Sequence, residues 1–249
     1  MIADGRVRVP GRTRLKPATP VTSKDDIQVS PGDDFASRGA YKLLGALTEF
    51  DLDVTGMICL DAGSSTGGFT DVLLRKGAQH VYGIDVGHDQ LDPRLRADPR
   101  VTQRDGVNIR DLEPSDLPPV DLVVADLSFI SLTYVLARLA SVLKPSGEMV
   151  VLVKPQFEVG RTNLGSGGIV RDPELHCAAL TGVADAAIKM GLGVHGVCQS
   201  QLPGPGGNLE FFLRLANRPG LKAAELADQI ATVISRDPDD ISKNPDDRR

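Results

Sequence analysis

Four charged residues from separate parts of the sequence have the types needed to move a proton within a binding site. Asp126 follows the apolar run VDLVVA and Lys154 follows EMVVLV, so each is expected at the end of a strand. Lys42 lies in SRGAYKL and Glu210 in GGNLEFF. Because an isolated ammonium is costly to bury, we expect Asp126 to pair with Lys154. We predict that the two amines and two carboxylates meet in one crevice.

This set of residues suits the methylation of a hydroxyl group. A ribose 2′-OH is a poor nucleophile and must lose its proton as it attacks a methyl group, and a lysine with a lowered pKa accepts such a proton. Burial and a second cation lower the pKa of a lysine, whereas carboxylates raise it. Lys42 would supply the second cation, and Asp126 and Glu210 would orient the pair. Taken singly, each residue also fits a structural role: Asp126 as a loop cap, Lys154 as a strand end and Glu210 as a surface acid.

The elements that must position these residues alternate between strand and helix. Seven strand-like runs are separated by helical patterns or loops, which is typical of a mostly parallel sheet covered on both faces. Between the fourth and fifth runs, YVLARLASVLKPSG is expected to be a helix closed by Pro145 and Gly147. No helix separates the last two runs, GVHGVCQS and NLEFFLRLA, so we predict an antiparallel hairpin at one edge. The expected fold is α/β and Rossmann-like, with a seven-stranded sheet.

The turn after the first strand, LDAGSSTGGF, suits a small charged ligand, since ligands of such folds lie at the carboxyl ends of the strands. Nucleotide oxidoreductases need glycine where this turn has Ser65, and no Gly-Lys-Ser/Thr is present. An acid before the first glycine suits the cationic amino-acid end of S-adenosylmethionine (SAM). Alternatively, the glycines only permit a tight turn. The predicted cofactor contacts of the turn are Asp61, Gly63, Ser64, Ser65, Thr66, Gly67, Gly68 and Phe69.

Three further acids are candidates for the same ligand. Asp85 ends the second strand, HVYGID, where the ribose of SAM needs an acid. Asp105 follows the third strand and would flank the adenine, and Asp126 adjoins the same crevice. The histidines and cysteines show no spacing that implies a metal.

The overall composition excludes several classes of protein. The chain of 249 residues is 41% hydrophobic and 24% charged, with a net charge of −5, which argues against a protein that coats nucleic acid non-specifically. It has no run of 18 apolar residues, and its start lacks the apolar core of a signal peptide. Three widely spaced cysteines fit a reducing compartment, so we expect a cytoplasmic protein.

Seven motifs together resemble the TlyA (haemolysin A-like) family of FtsJ-like ribosomal RNA 2′-O-methyltransferases. They lie between about residue 35 and residue 216: SRGAYKL, LDAGSSTGGFTDVLL, VYGIDVG, DLVVADLSFISL, VLVKPQFEVG, GGIVRDP and GPGGNLEFFL. The resemblance implies a SAM-dependent methyltransferase fold and a catalytic tetrad at Lys42, Asp126, Lys154 and Glu210. It also implies that the substrate is a cytidine ribose in 16S or 23S rRNA, or both, and that the partners are ribosomal subunits.

The resemblance and the composition of the C-terminal tail together divide the chain into three parts. Residues 1–30 resemble only the C-terminal half of an S4-like RNA-binding domain, 31–218 form the methyltransferase domain, and 219–249 form a helix and a disordered tail. Family members usually begin with a complete S4-like domain, so we expect weak rRNA binding.

Candidate RNA contacts come from two places. The first 30 residues carry six basic and three acidic groups, although a solvated surface segment would have the same composition. The glycine-rich loop VGRTNLGSGGIVRDP would close over the target nucleotide. The predicted RNA-binding residues are Arg6, Arg8, Arg12, Arg14, Arg38 and Arg171.

Three alternative functions stay open. Base N-methyltransferases usually carry Asn/Asp-Pro-Pro-aromatic after the fourth strand, where this chain has Asp126-Leu127-Ser128-Phe129. A haemolysin-like protein would need a membrane-active segment, and the sequence shows no strongly basic amphipathic helix. A non-catalytic RNA-binding protein would not need the tetrad.

Overall fold

The computed structural model describes residues 7–10, 12, 15–16, 18–22, 25–29 and 35–236. The chain divides into two compact units, residues 1–35 and 36–249. In the first unit, two short strands pair antiparallel, β1 (Val7–Arg8) and β2 (Gln28–Val29).

The second unit alternates strands with helices, as the sequence predicts. Its strands are β3 (Ile58–Ala62), β4 (His80–Asp85), β5 (Val101–Asp105), β6 (Val120–Ala125), β7 (Leu143–Val153), β8 (Gly193–Gln199) and β9 (Phe211–Ala216). Its α-helices are α1 (Gly39–Glu49), α2 (Gly68–Arg75), α3 (Pro93–Arg96), α4 (Leu136–Ser141), α5 (Pro155–Glu158), α6 (Pro173–Lys189) and α7 (Ala223–Ser235).

The seven strands of this unit form one sheet in the order β5-β4-β3-β6-β7-β9-β8. The first five pair in parallel, and β9 is antiparallel to both β7 and β8, which confirms the predicted mixed sheet. Because β9 is antiparallel, it begins at the edge where the parallel strands end. Val153 is paired with Phe211, so Lys154 and Glu210 emerge side by side at that edge.

The core lies on both faces of the sheet, because the central strands are apolar throughout. Leu122, Val123 and Val124 of β6 are all fully buried. Such a strand has no polar face to present to water, so helices must cover both sides. Helix α7 buries Leu226 and Ile230 in the same core and is therefore part of this unit. The predicted disordered tail lies outside the described residues, which end at 236.

One predicted boundary is wrong. The helix expected over YVLARLASVLKPSG ends at Ser141, and β7 already begins at Leu143. The Val120 amide donates to the Val142 carbonyl at 2.9 Å, and Lys144 Nζ lies 2.7 Å from Asp121 Oδ1. These contacts hold the segment alongside β6, and Pro145 could not continue a helix in any case.

Candidate active site

The glycine turn between β3 and α2 is shaped by its left-handed residues. Gly63 has φ +85° and Gly67 has φ +93°, while Ser65 holds φ +45° at a position that disfavours a side chain. A Cβ built on Gly63 would lie 2.5 Å from the Asp126 carbonyl oxygen. The ends of β3 and β6 can therefore approach each other only because residue 63 is glycine.

A cavity of about 590 Å³, which we call the turn cavity, opens over this turn. Six of the predicted cofactor residues of the turn line it: Gly63, Ser64, Ser65, Thr66, Gly68 and Phe69. Lys42, Asp126 and Lys154 line the same cavity, so the glycine turn and most of the tetrad face one space. Gly67 instead precedes α2 as its N-cap.

Asp61 takes a different place from the one predicted. It is fully buried, and its Oδ2 accepts hydrogen bonds from the Thr70 amide at 2.9 Å and from Thr70 Oγ1 at 2.7 Å. Its Oδ1 has no hydrogen-bond partner among the described atoms. Burial raises the pKa of Asp61 to about 7. Asp61 thus fastens the first turn of α2 to β3 and does not line the cavity.

The two acids after β4 and β5 are already engaged by the protein. Asp85 accepts from the amides of Ser65, at 2.9 Å, and Gly87, at 2.7 Å, and so holds the glycine turn. Asp105 lies 2.8 Å from an Arg96 guanidinium nitrogen and accepts from Gln103 at 2.9 Å. Neither acid lines the turn cavity, so their contacts with ribose and adenine stay predictions.

The tetrad forms two ion pairs. Lys154 Nζ lies 2.6 Å from Asp126 Oδ1, which confirms the predicted pairing, and Lys42 Nζ lies 2.6 Å from Glu210 Oε2. Lys42, Lys154 and Glu210 are buried, so the alternative reading of Glu210 as a surface acid is wrong. The four residues bring together two positive and two negative charges, which lowers the free-energy cost of burying each of them.

A second cavity, of about 1,100 Å³, adjoins the first at Lys154, and we call it the loop cavity. Glu210 lines it, as do Gly160, Gly167 and Gly168 of the glycine-rich loop. Lys154 therefore faces both spaces, one over the glycine turn and one under the loop. This arrangement gives separate room to two reactants on either side of one amine.

Asn208 fastens the glycine-rich loop to the tetrad. Its Oδ1 accepts from the Val170 amide at 2.9 Å, and its Nδ2 donates to the Gly168 carbonyl at 3.2 Å. Asn208 is buried and stands two positions before Glu210. Asn208 is not among the predicted site residues, although GGNLEFF places an amide side chain close to the predicted acid.

Ser128 and Phe129 are two further residues beside the tetrad that were not predicted, because from the sequence their stretch indicates only the absence of the prolines typical of base N-methyltransferases. Ser128 Oγ accepts a hydrogen bond from Lys154 Nζ at 3.0 Å. Phe129 is 90% exposed with φ +66°, and its ring centroid lies 5.3 Å from that of Phe157. Such a φ is rare for an aromatic residue and holds the ring out of the core.

The predicted RNA-binding arginines have different surroundings. Arg38 is exposed and lines the turn cavity, and Arg171 is exposed at the end of the glycine-rich loop. In the first unit Arg8 is exposed, and Arg12 lies 3.2 Å from Asp25. Arg6 and Arg14 lie outside the described residues.

In the part of the chain that the structure describes, no helix is long and apolar enough to cross a membrane. No cluster of three or more His, Cys, Asp or Glu side chains there is arranged to hold a metal ion. Cys59 and Cys198 are buried and Cys177 is exposed, all as free thiols.

Comparison with known proteins gives consistent matches. Residues 35–217 match the family of FtsJ-like methyltransferases. The chain is 47% identical, over 96% of its length and 91% of the relative's, to the 16S/23S rRNA (cytidine-2′-O)-methyltransferase TlyA of Mycobacterium tuberculosis. It is 37% identical to Hemolysin A of Brachyspira hyodysenteriae, over 85% of this chain and 89% of that one. A solved structure from Streptococcus thermophilus, described as a candidate hemolysin, aligns with a TM-score of 0.80 and 37% identity, over 93% of this chain and 87% of that one.

Proposed function

This chain belongs to the family of FtsJ-like methyltransferases, and on that premise we propose that it methylates a cytidine ribose 2′-hydroxyl in ribosomal RNA. One observation carries the proposal: a buried Lys154, paired with Asp126, stands between the turn cavity and the loop cavity. The similar TlyA protein of Mycobacterium tuberculosis acts on cytidine riboses of 16S and 23S rRNA. We place the reaction on ribosomal subunits in the cytoplasm.

The turn cavity fits the cofactor. When bound there, SAM supplies the methyl group. The residues that would hold it are Ser64, Ser65 and Thr66, through the turn backbone, and Phe69. Gly63 keeps the floor of the cavity open, since a Cβ there would contact Asp126.

Lys154 handles the proton of the substrate. In its neutral form the amine would accept the 2′-hydroxyl proton as that oxygen gains the methyl group and the sulfur–methyl bond of the cofactor breaks. The products would be a methyl ether, an ammonium on Lys154 and S-adenosylhomocysteine. The Asp126 carboxylate, 2.6 Å away, stabilises that ammonium, and Ser128 fixes its direction. Lys42 and Glu210 neutralise each other beside it and leave Lys154 as the amine that faces both cavities.

Three features favour a ribose hydroxyl in RNA as the acceptor. A base exocyclic amine does not require a lysine to remove its proton before attack, and the stretch Asp126-Leu127-Ser128-Phe129 lacks the prolines typical of base N-methyltransferases. The loop cavity has room for a nucleotide turned out of its stack. Arg38 lines the turn cavity and Arg171 is exposed at the end of the glycine-rich loop, so both are positioned as candidates for phosphate contacts.

The test is transfer of tritium from labelled SAM to purified small and large ribosomal subunits, followed by mapping of the modified nucleotide. We expect label in rRNA at a cytidine whose 3′ linkage resists alkaline cleavage, because 2′-O-methylation blocks it. Label at an alkali-sensitive position would show base methylation, and no label in either subunit would remove rRNA as the substrate. A reaction without the enzyme is the control for non-enzymatic labelling.

A further inference from the structure

We infer that Arg110 and Tyr134 form a second nucleotide site at the mouth of the loop cavity, which holds a nucleotide next to the methylated one. This pair, the rim pair, lines the same cavity as Lys154 and Glu210. The inference rests on the proposed function. It adds a contact with RNA outside the tetrad, and this contact does not determine which hydroxyl reacts.

The first support is an exposed aromatic ring. Tyr134 is 72% exposed and Phe129 is 90% exposed, and these two are the exposed large aromatic side chains within the described ranges. Both line the loop cavity, in a chain with only 4% aromatic residues. Aromatic rings displayed beside a groove are the usual platform for unpaired bases, since every base has a face that can stack.

The second support is a free positive charge. Nine arginines of residues 36–236 lie in ion pairs with carboxylates: Arg75, Arg94, Arg96, Arg100, Arg104, Arg138, Arg214, Arg218 and Arg236. Arg110 is exposed and has no carboxylate of the described residues within ion-pair distance. Its guanidinium lies 5.9 Å from the centroid of the Tyr134 ring. A stacking face and an unneutralised cation thus stand side by side, as a nucleotide with its phosphate requires.

The third support is that the two short helical turns that carry Arg110 and Tyr134 are held by hydrogen bonds. Arg110 donates its amide to Asn108 Oδ1 at 3.1 Å, in a single helical turn. Tyr134 ends a similar turn, in which the Leu132 amide donates to Glu158 Oε1 at 2.9 Å. Glu158 is itself half-buried and also accepts from Ser131 Oγ. These hydrogen bonds fix the backbone at both positions, so the conformational freedom lost when a base stacks is mainly that of the two side chains.

The position favours a neighbour of the target over the target itself. The target ribose has to reach Lys154, deep in the cavity, whereas the rim pair is exposed to solvent at its mouth. When a nucleotide is turned out of its stack, the adjacent base loses its stacking neighbour on that side. Tyr134 would supply that partner, and Arg110 would hold the phosphate between the two nucleotides.

Steady-state methylation of ribosomal subunits by the full chain tests this site. We expect Tyr134→Ala to raise KM for the subunit about tenfold, with kcat within about twofold of wild type, and Tyr134→Phe to keep the wild-type KM, because the ring remains. Arg110→Ala should raise KM and reduce the slope of log affinity against log salt by about one. The control is Arg138→Ala, which removes an exposed arginine paired with Glu113 outside the cavity.

A fluorescence measurement separates stacking from a general structural effect. 2-Aminopurine is placed next to the mapped target in an rRNA fragment, and we expect its emission to be quenched by wild type and by Tyr134→Phe but not by Tyr134→Ala. An unchanged KM in Tyr134→Ala, or a Phe variant as weak as the Ala variant, overturns the inference. Both outcomes presuppose that the wild-type enzyme methylates rRNA. If the proposed function is wrong, the wild-type protein itself transfers no label, so the two failures can be distinguished.

Discussion

At the scale of single residues, the tetrad poses a question of roles, because two lysines each hold a carboxylate. Lys154 faces both cavities and contacts Ser128 as well as Asp126, whereas Lys42 contacts Glu210. On these contacts we propose Lys154, and not Lys42, as the residue that exchanges the proton. Lys42 and Glu210 set the charge beside it.

Replacing Lys154 tests whether the site needs a base or only a positive charge. We expect Lys154→Ala and Lys154→Arg to lose methyl transfer by at least about 100-fold, since arginine keeps the charge but does not release its proton. SAM affinity, measured by calorimetry, should stay nearly unchanged. Lys144→Ala is the matched control, because Lys144 lies near the start of β7, the strand that Lys154 follows, lines neither cavity and pairs with Asp121. An active arginine variant would show that charge alone suffices.

Asp61 should make the stability of the protein depend on pH. Its pKa is raised from 3.8 to about 7, so the folded state holds a proton that the unfolded state releases above pH 3.8. This contribution to the free energy of unfolding is present below about pH 4 and is lost as pH rises to about 7, by up to about 4 kcal/mol at 1.4 kcal/mol for each pK unit.

The Asp61→Asn variant removes that titration. We expect its thermal midpoint, without ligands, to vary less than that of wild type between pH 5 and pH 8. It should exceed the wild-type value at pH 8, where the buried carboxylate is charged in wild type. Parallel pH curves for the two proteins would contradict the raised pKa. Asp53→Asn is the control, since Asp53 accepts from Thr55 near the surface and its pKa is lowered.

The sequence predicted the residues of the site better than their contacts. Asp126 and Lys154 were predicted because each follows an apolar run, and Glu210 lies in the last strand-like run, directly before β9. Asp85 accepts hydrogen bonds from the Ser65 and Gly87 amides. These contacts depend on the backbone conformation of the turn, which cannot be predicted from the residue types alone. Ser128 also contacts the tetrad, through a hydrogen bond from Lys154, and this contact could not be predicted before the position of Lys154 was known.

At the scale of elements, the glycine turn depends on the close approach of β3 and β6. Gly63→Ala would place a methyl group 2.5 Å from the Asp126 carbonyl oxygen and 3.1 Å from Leu127 Cδ2. We expect SAM affinity to fall at least tenfold and the thermal midpoint to drop by several degrees, because a strained backbone and a displaced strand each cost about 1 kcal/mol or more.

Gly56→Ala separates these two causes. Gly56 also has a positive φ, +74°, but a Cβ there would meet nothing within 4 Å. This variant should lose some stability and keep the wild-type affinity for SAM in calorimetry. Equal losses of affinity in both variants would mean that the contact with Asp126 is unimportant.

The glycine-rich loop should be loosened by a change at Asn208. Asn208→Ala removes the acceptor for the Val170 amide and the donor to the Gly168 carbonyl. We expect hydrogen exchange at Val170 to accelerate up to about tenfold, as for the loss of one hydrogen bond, and KM for ribosomal subunits to rise while SAM affinity stays constant. Gln201→Ala, at an exposed position outside both cavities, is the control. Unchanged exchange at Val170 would show that the loop is held by other contacts.

Element boundaries were predictable where the pattern is strong and the pairing local. The start of α6 is marked locally, since an acid followed by proline is typical of a helix start, and Asp172 accepts from the Glu174 amide at 2.9 Å. The start of β7 was not found, because it is fixed by pairing with β6 and by the Lys144–Asp121 ion pair. Such long-range contacts outweigh the local helical pattern.

At the scale of the whole molecule, the turn cavity is built entirely from residues of the second unit. We therefore expect SAM to bind without RNA and to raise the thermal midpoint of the full chain by several degrees at 100 times its Kd, where binding adds about 2.7 kcal/mol. NAD is the matched control ligand and should give no shift, because Ser65 replaces the glycine that a pyrophosphate needs. Stabilisation by NAD, or by SAM only in the presence of rRNA, would contradict this.

The insertion of β9 between β7 and β8 has a consequence for biosynthesis. A chain growing on the ribosome can pair the first five strands of the sheet as they emerge, but β8 has no partner until the residues after it have been made. Glu210 enters just before β9, so the ion pair with Lys42 joins segments 168 residues apart. The Lys42–Glu210 ion pair therefore cannot form until almost the whole sheet has been synthesised, because β9 is the last strand of the described residues.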